Sequence, residues 1–471
     1  MMQVLWRGLG VLAAGGALCL ASSPPTLAAG AGDRLVWRVP ENTVDADIEG
    51  WPLQKLLERV AAKTRWRVYV EPDTQRLVTA KFKELKPGEA LRRLLGELNF
   101  VLLPSTNGTS TLYVFHTSVQ TATNLVASPA ERRAGAARLV ANELVVHLKP
   151  GAGVSIEDLA KQLGAQVVGS IAGAQTYRLR FGDASGTDAA RATLGTHRDV
   201  GELESNYALP RPDEPEGVSV TPGLAPLRLR PQTDGRQIVV GLIDTAVQSE
   251  GTVLKDFLLP TVSVAGQTSP PLDEPSHGSS MAETLLYSLA RSAEAANSTP
   301  VRILPIDVYG SADSTTTFQI AQGIQEAVSR GAAIVNLSLG GDTDSPLLRS
   351  LITAAHREGV IFTAAAGNEP VTTPTFPAAY PEVIAVTAMS PGGAVASYAN
   401  RGEFVDVAAP GTSIVPFAGE AYVVVGTSTA TANVSAVAAG LLASTGKSGA
   451  AVESMVRQAL AFKAQPASPA P

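Results

Sequence analysis

The sequence holds a single cysteine, Cys19, and it lies close to the N-terminus. No disulfide can form within the chain, and a cysteine nucleophile or thiolate metal site is excluded from everything downstream. Histidine is almost as scarce: His116, His147, His197, His277 and His356 are the five present, so a mechanism that needs an imidazole has few candidates. Charge is thin and slightly acidic. Asp, Glu, Lys and Arg make up 17% of residues, with 37 basic against 43 acidic side chains and a formal net charge of −6. That balance lacks the basic field of a nucleic-acid binder. Past the N-terminal run there is no apolar stretch of about 18 residues, so no membrane span is expected in the mature chain. The 43 glycines and 32 prolines follow no repeat, which excludes a collagen-like chain. What is plentiful is apolar material, 45% of 471 residues. That is enough to bury cores in roughly three domains, and it excludes bulk disorder.

The first residues have a targeting layout. Arg7 supplies a positive start, Leu9–Ala21 is apolar, and small residues follow at Thr26-Leu27-Ala28-Ala29. This is the pattern of a secretory signal peptide, here 1–29, and it predicts export to the periplasm or the extracellular space. Gly16-Ala17-Leu18 before Cys19 is a poor lipoprotein signal.

Residues 33–117 read strand, helix, strand, strand, helix, strand. Val44–Ile48 alternates at period two, and Leu53, Leu56, Leu57 and Val60 form a helical stripe. Trp66–Val70 and Val78–Leu85 alternate again, a second stripe runs through Leu91, Leu94, Leu95 and Leu98, and strands close the set. With Ile48-Glu49-Gly50-Trp51-Pro52-Leu53 and Pro87-Gly88-Glu89-Ala90-Leu91, the block resembles the small N-terminal domain of secretins and TonB-dependent receptors. That resemblance implies docking to an envelope protein.

Residues 118–138, rich in Ala, Ser, Thr and Arg, read as a linker. Residues 140–209 then repeat the strand–helix order. Val145-Val146-His147-Leu148-Lys149-Pro150 and Glu204-Ser205-Asn206-Tyr207-Ala208-Leu209 make this block resemble the propeptide of subtilisin-like proteases. Residues 210–235, dense in proline and acids, read as an exposed tether. From 236 to 460, apolar strands alternate with helices, among them Ile238–Ile243, Ala332–Leu339, Val360–Ala365 and Val383–Thr387. Asp344-Ser345-Pro346 marks a capped helix start. The expected fold is α/β, a doubly wound parallel sheet with helices on both faces, preceded by two small α+β domains of βαββαβ type. Residues 461–471 read as a flexible tail.

Three segments carry the chemistry. Gly241-Leu242-Ile243-Asp244-Thr245 puts a carboxylate at the C-terminal end of a buried strand, where open α/β sheets collect catalytic groups. Ser276-His277-Gly278 puts an imidazole at a helix start, and Gly426-Thr427-Ser428 puts a hydroxyl where a turn enters a long helix. A serine hydroxyl becomes a nucleophile when a neutral imidazole takes its proton, and the imidazole needs a carboxylate to fix its tautomer. A fourth segment, Ala365-Ala366-Gly367-Asn368, can aim the Asn368 amide at a developing oxyanion beside the Ser428 N–H.

Together with Asn336-Leu337-Ser338-Leu339-Gly340-Gly341, Phe376-Pro377-Ala378-Ala379-Tyr380-Pro381 and Ala409-Pro410-Gly411, these segments make residues 236–460 resemble the catalytic domain of subtilisin-like serine peptidases. The resemblance implies an Asp244–His277–Ser428 triad with Asn368 in the oxyanion hole. It also implies substrate backbone held by Ser338, Leu339, Gly340, Ala365, Ala366 and Gly367. Protein or peptide substrates follow from it, and no cofactor is required for the chemistry. The clipped loops lack a dense Asp/Asn cluster, so structural calcium gains no support. Ala246, Ser280, Thr429, Ala432 and Asn433 depart from the usual motif residues, and none of them is a catalytic group. The S1 floor is expected near Pro374-Thr375-Phe376, and His356 is expected on a solvated helix face. Tyr207-Ala208-Leu209 is expected to pair with Ser338-Leu339-Gly340. The leading reading is an exported endopeptidase made as a zymogen. A non-enzymatic envelope adaptor and a self-cleaving regulator remain as alternatives.

Overall fold

The structure is a computed structural model and describes residues 33–462 apart from 39–40, 72–73, 104–109, 118, 123, 127–138, 213–215, 218–226, 251, 267–269, 271–273 and 293–297. Residues 1–29, read as a signal peptide, and residues 463–471, read as part of a tail, lie outside the described residues. Two compact units divide the chain: residues up to Pro52 with Arg76–Gly96 form one, and Leu53–Gln75 with everything from Glu97 onward form the other.

The block 33–117 contributes to both units. It runs β1 (Asp33–Arg38), β2 (Thr43–Pro52), α1 (Leu53–Thr64), β3 (Arg67–Val70), β4 (Leu77–Leu85), α2 (Pro87–Leu95), β5 (Asn99–Leu103) and β6 (Thr111–Phe115). In the first unit, β1, β2 and β4 form an antiparallel sheet. Val44, Ala46 and Ile48 of β2 alternate into its core, with Leu91, Leu94 and Leu95 of α2 buried. β1 escaped the sequence reading because it buries Trp37 but leaves Leu35 and Val36 half-exposed, so no alternation marks it.

In the second unit, β5, β6, β3 and β7 (Asn124–Leu125) form a four-stranded sheet. The segment read as a linker therefore begins inside this sheet, and it buries Ala122 and Val126. Its apolar residues are scattered among Ser, Thr and Asn, and composition alone hides them. Tyr69 and Tyr113 stack with centroids 5.4 Å apart and form a buried cluster with Ala122 and Val371.

The second block follows the expected order closely: β8 (Leu139–Leu148), α3 (Ile156–Leu163), β9 (Gln166–Ile171), β10 (Thr176–Arg180), α4 (Ala184–Leu194) and β11 (Val200–Pro210). Ser155 and Asp183 start the helices by accepting from the Asp158 and Gly186 N–H groups. Period two on β8 sends Leu144, Val146 and Leu148 to the block's own core, with Leu159, Ala190 and Leu194. Val145, between them, joins Ile171 and Leu209 in a core shared with the following sheet. The tether read from its prolines is pinned at two points. Strands β12 (Glu216–Gly217) and β13 (Arg230–Pro231) both find partners further along the chain, and Leu229 is buried.

The last block builds a seven-stranded parallel sheet from β14 (Ile238–Asp244), β15 (Val262–Ser263), β17 (Val301–Asp307), β19 (Ala332–Leu337), β20 (Ile361–Ala365), β21 (Val383–Met389) and β22 (Val407–Pro410). Spatial order is β15-β17-β14-β19-β20-β21-β22. Short strands β16 (Ser298–Thr299) and β18 (Ser314–Thr316) and the hairpin β23 (Thr412–Phe417) with β24 (Glu420–Val425) lie outside it. Helices α5 (His277–Ser292), α6 (Thr317–Ser329), α7 (Pro346–Arg357), α8 (Thr427–Thr445) and α9 (Gly449–Ala459) complete the block. Val240, Leu242, Ile334 and Ile361 pack with α5, α8 and α9, whereas Ile243, Val335, Leu337 and Phe362 pack with α6 and α7. Both faces are apolar because both are covered, which is why these strands read as continuous hydrophobic runs. β14 sits between β17 and β19, so the chain leaves it first to one side and later to the other. A crevice opens at the C-terminal end of such a strand, and Asp244 is its last residue.

Candidate active site

Asp244 is 1% exposed. Its Oδ1 accepts the N–H of Thr245 at 2.7 Å and faces His277 Nδ1 at 2.7 Å. Oδ2 is buried without a partner among the described residues. A carboxylate only accepts, so His277 Nδ1 is the donor, and in the neutral imidazole Nε2 is then the acceptor. His277 is the first residue of α5 and is itself buried. The two residues stand 33 positions apart in the chain, Asp244 at the end of β14 and His277 at the start of α5, and the hydrogen bond between them orients the imidazole.

Ser428 stands in the first turn of α8, behind the Gly426 cap. Its N–H is one of those a helix N-terminus leaves without an intrahelical partner. Its Oγ donates to the Ser338 carbonyl at 3.2 Å, and Ser338 Oγ donates back to the Ser428 carbonyl at 3.3 Å. A buried polar chain continues from there: Asn336 donates to Ser338 Oγ at 2.9 Å, Ser435 Oγ donates to Asn336 at 2.9 Å, and Thr363 meets Ser435 at 2.7 Å. The network ties α8, the helix that carries Ser428, to β19 and β20. Single polar residues inside apolar strands gave no sign of it in the sequence.

Asn368 follows β20. Its Oδ1 accepts both the N–H and the hydroxyl of Thr427, each at 2.9 Å. Both donors bind the oxygen, so the amide hydrogens on Nδ2 stay free to point elsewhere. A Cβ at Gly426 would lie 3.2 Å from Nδ2 and 3.7 Å from the Ser428 nitrogen. Glycine therefore leaves open the space that these two donors border.

Asn400, which the motif reading missed, holds this loop. Its Nδ2 donates to the Ala366 carbonyl at 2.7 Å, its Oδ1 accepts from Glu369 N–H at 2.9 Å, and its own N–H reaches the Gly367 carbonyl at 2.9 Å. Gly367 has φ +109°, and a Cβ there would come within 2.5 Å of Asn400 Nδ2, so only glycine lets the loop close this tightly. The sole sequence signal for Asn400 was an asparagine before Arg-Gly in a loop.

The two stretches expected to hold substrate backbone are neighbours. A Cβ on Gly340 would lie 3.7 Å from the Ala365 carbonyl and 3.2 Å from that of Phe376. Ser338, Leu339, Ala365 and Ala366 are buried, with Gly367 half-exposed. The expected partner of Tyr207-Ala208-Leu209 is different, however. Ala208, Leu209 and Pro210 pair antiparallel with Thr316, Thr315 and Ser314 of β18. The edge at 338–341 is partly spent: Ser338 O accepts from Ser428, and Gly341 exchanges both backbone hydrogen bonds with Phe376, at 2.9 and 2.7 Å. His356 also differs from expectation, since its Nε2 lies 2.8 Å from Glu453 of α9. Among the described residues, no three His, Cys, Asp or Glu side chains gather into a set that could hold a metal ion.

The subtilase family matches residues 235–469, and the fervidolysin N-terminal prodomain matches residues 126–201. The chain is 32% identical over 226 residues to thermitase of Thermoactinomyces vulgaris, covering 47% of this chain and 81% of that protein. It is 33% identical over 229 residues to the thermophilic serine proteinase of Bacillus sp. strain AK1, covering 48% and 56%. Against subtilisin E of Bacillus subtilis it is 33% identical over 192 residues, covering 38% and 48%, so the match spans about half of those two relatives. Among solved structures, the epidermin leader peptide processing serine protease of Staphylococcus aureus aligns with TM-score 0.48 and 15% identity, over 64% of this chain and 89% of that one.

Proposed function

The chain belongs to the subtilase family of serine endopeptidases, and from that premise we propose an exported, self-processing endopeptidase with Ser428 as nucleophile, His277 as base, Asp244 as its orienting carboxylate and Asn368 as oxyanion donor. The observation that carries this reading is the buried 2.7 Å hydrogen bond between His277 Nδ1 and Asp244 Oδ1. Ser428 Oγ turns from the Ser338 carbonyl toward His277 and attacks the scissile carbonyl carbon while Nε2 takes its proton. The carbonyl oxygen takes up the displaced electron pair between Asn368 Nδ2 and the Ser428 N–H. The imidazolium returns the proton to the leaving amine as the C–N bond breaks, and water repeats the sequence on the acyl-enzyme.

A prodomain precedes the protease, so the chain is built as a zymogen. In this reading the enzyme cuts its own chain between Leu209 and Arg236, after the strand that lies against Ser314–Thr316. Export rests on the pattern of residues 1–29, and docking of 33–117 to an envelope protein rests on sequence pattern alone.

Ser428→Ala removes one hydroxyl at a helix start and tests the assignment. The variant is expected to fold, to lose casein hydrolysis and labelling by a serine-directed fluorophosphonate, and to keep the intact mass of the exported precursor. Normal turnover in that variant ends the triad assignment. A wild type that hydrolyses casein while staying full length ends the self-processing.

A further inference from the structure

The prodomain's hold on the cleft does not stop with β11. Beyond Pro210, the N–H of Arg211 continues the ladder onto the Asp313 carbonyl at 2.9 Å. Leu209 is buried, with Cγ and Cδ2 3.6 Å from the point where a Cβ on Gly341 would stand. Two residues on, Arg211 Nη1 donates to the carbonyls of Gly310 at 3.1 Å and Ala312 at 3.4 Å. The guanidinium carbon lies 5.9 Å from the centroid of the Tyr309 ring. Tyr309 is 1% exposed, and its hydroxyl donates to the Pro210 carbonyl at 3.3 Å. The residue before it, Val308, donates its N–H to the Asp244 carbonyl at 3.1 Å. The cradle around Arg211 is thus one residue from the strand end that orients His277.

We propose that Tyr309, Gly310 and Ala312 form a substrate subsite for arginine, so that the enzyme selects extended peptides of the form Leu-Xaa-Arg and cuts C-terminal to the arginine. This deepens the endopeptidase reading and rests on it. Main-chain pairing with residues 313–316 is indifferent to sequence and sets only the register, so choice among peptides falls to side-chain pockets. This pocket offers carbonyl oxygens and the face of an aromatic ring, all of them attractive to a cation. A planar guanidinium satisfies both at once, whereas an ammonium is a point charge that serves one or the other. A carboxylate meets only acceptors.

Four peptides copying residues 204–217, with Arg211 retained or replaced by Lys, Ala or Glu, are offered to the wild-type protein, with products located by mass spectrometry. The expected order of kcat/KM is Arg, Lys, Ala, Glu, with Arg over Ala by about tenfold or more. Tyr309→Leu collapses the Arg-to-Ala ratio toward unity, and Tyr309→Phe, which keeps the ring face, preserves it. Equal kcat/KM for all four peptides in the wild type, or an undiminished ratio in Tyr309→Leu, overturns the subsite while the endopeptidase stands. If none of the peptides and no casein is cut, the endopeptidase reading fails and the subsite with it. The wild-type ratios decide the matter even if Tyr309→Leu does not fold.

Discussion

Glu204, midway along β11, accepts a 2.8 Å hydrogen bond from the Ser345 hydroxyl, the group that caps α7. Its other oxygen accepts the N–H of Leu347 at 3.1 Å. Asn206 repeats the device at α6, where Oδ1 accepts from the Phe318 N–H at 3.3 Å and the Thr317 hydroxyl at 3.2 Å. The first turns of two protease helices carry N–H groups with no intrahelical partner, and β11 supplies the acceptors. Burial pushes the Glu204 carboxyl up from its ordinary value, and these hydrogen bonds pull it partly back.

Removing either acceptor should loosen the prodomain. Glu204→Ala and Asn206→Ala are each expected to weaken its hold by roughly 1–2 kcal/mol, the usual worth of a helix cap. Casein-hydrolysing activity should then appear sooner after synthesis of the whole chain, and soonest in the double variant because the two caps act on different helices. Activation at the wild-type rate in all three would mean that the caps do not hold the prodomain.

Much of this was legible in the sequence, for identifiable reasons. Ser345 before Pro346 marks the start of α7, and the continuous apolar runs of β14 and β19 mark a sheet covered on both faces. The partner of β11 was not legible. Ser314-Thr315-Thr316 is polar and short and has no alternation, and it becomes a strand only because β11 lies beside it. The Asn336–Ser338–Ser435–Thr363 chain was hidden for a related reason: buried hydroxyls and amides show their purpose only when their partners, distant in sequence, are in place.

Asn368 and Asn400 should separate by degree. Asn368→Ala is expected to lower kcat by roughly a hundredfold or more with little change in KM, a magnitude that comes from subtilisin itself. Asn400 braces Ala366, Gly367 and Glu369 around Asn368. Asn400→Ala leaves buried groups unpaired and should cost about tenfold in kcat. In the Asn368→Ala background it should cost much less, because the group it positions is gone. Full additivity in the double variant would make Asn400 a purely structural residue.

The stacked pair Tyr69–Tyr113 should anchor the four-stranded sheet of β3, β5, β6 and β7 against Val371. Tyr113→Ala removes a large buried ring, with an expected loss of roughly 3 kcal/mol in that contact. Limited proteolysis should then cut between residues 97 and 126 well before the protease block is touched. An unchanged digestion pattern would place the anchor elsewhere.

Glu283 provides a test of stability against pH. It lies on α5, six positions beyond His277, at 3% exposure, and its Oε2 has no partner among the described residues. Burial pushes its carboxyl up to about 8 from an ordinary value of 4.5. Below the ordinary value, the group is protonated in both the folded and the unfolded chain. As pH rises from there toward about 8, the unfolded chain releases this proton and the folded one keeps it. Stability is therefore lost at up to about 1.4 kcal/mol per pH unit across that window, and no further above it. Glu283→Gln keeps the shape and cannot ionise. In a Ser428→Ala background, which prevents self-digestion, the protease transition of Glu283→Gln should melt at the wild-type temperature near pH 4 and several degrees higher near pH 9. Parallel melting curves at the two pH values would show that Glu283 finds a partner or water on ionising, and that the buried carboxyl does not set the alkaline limit of the fold.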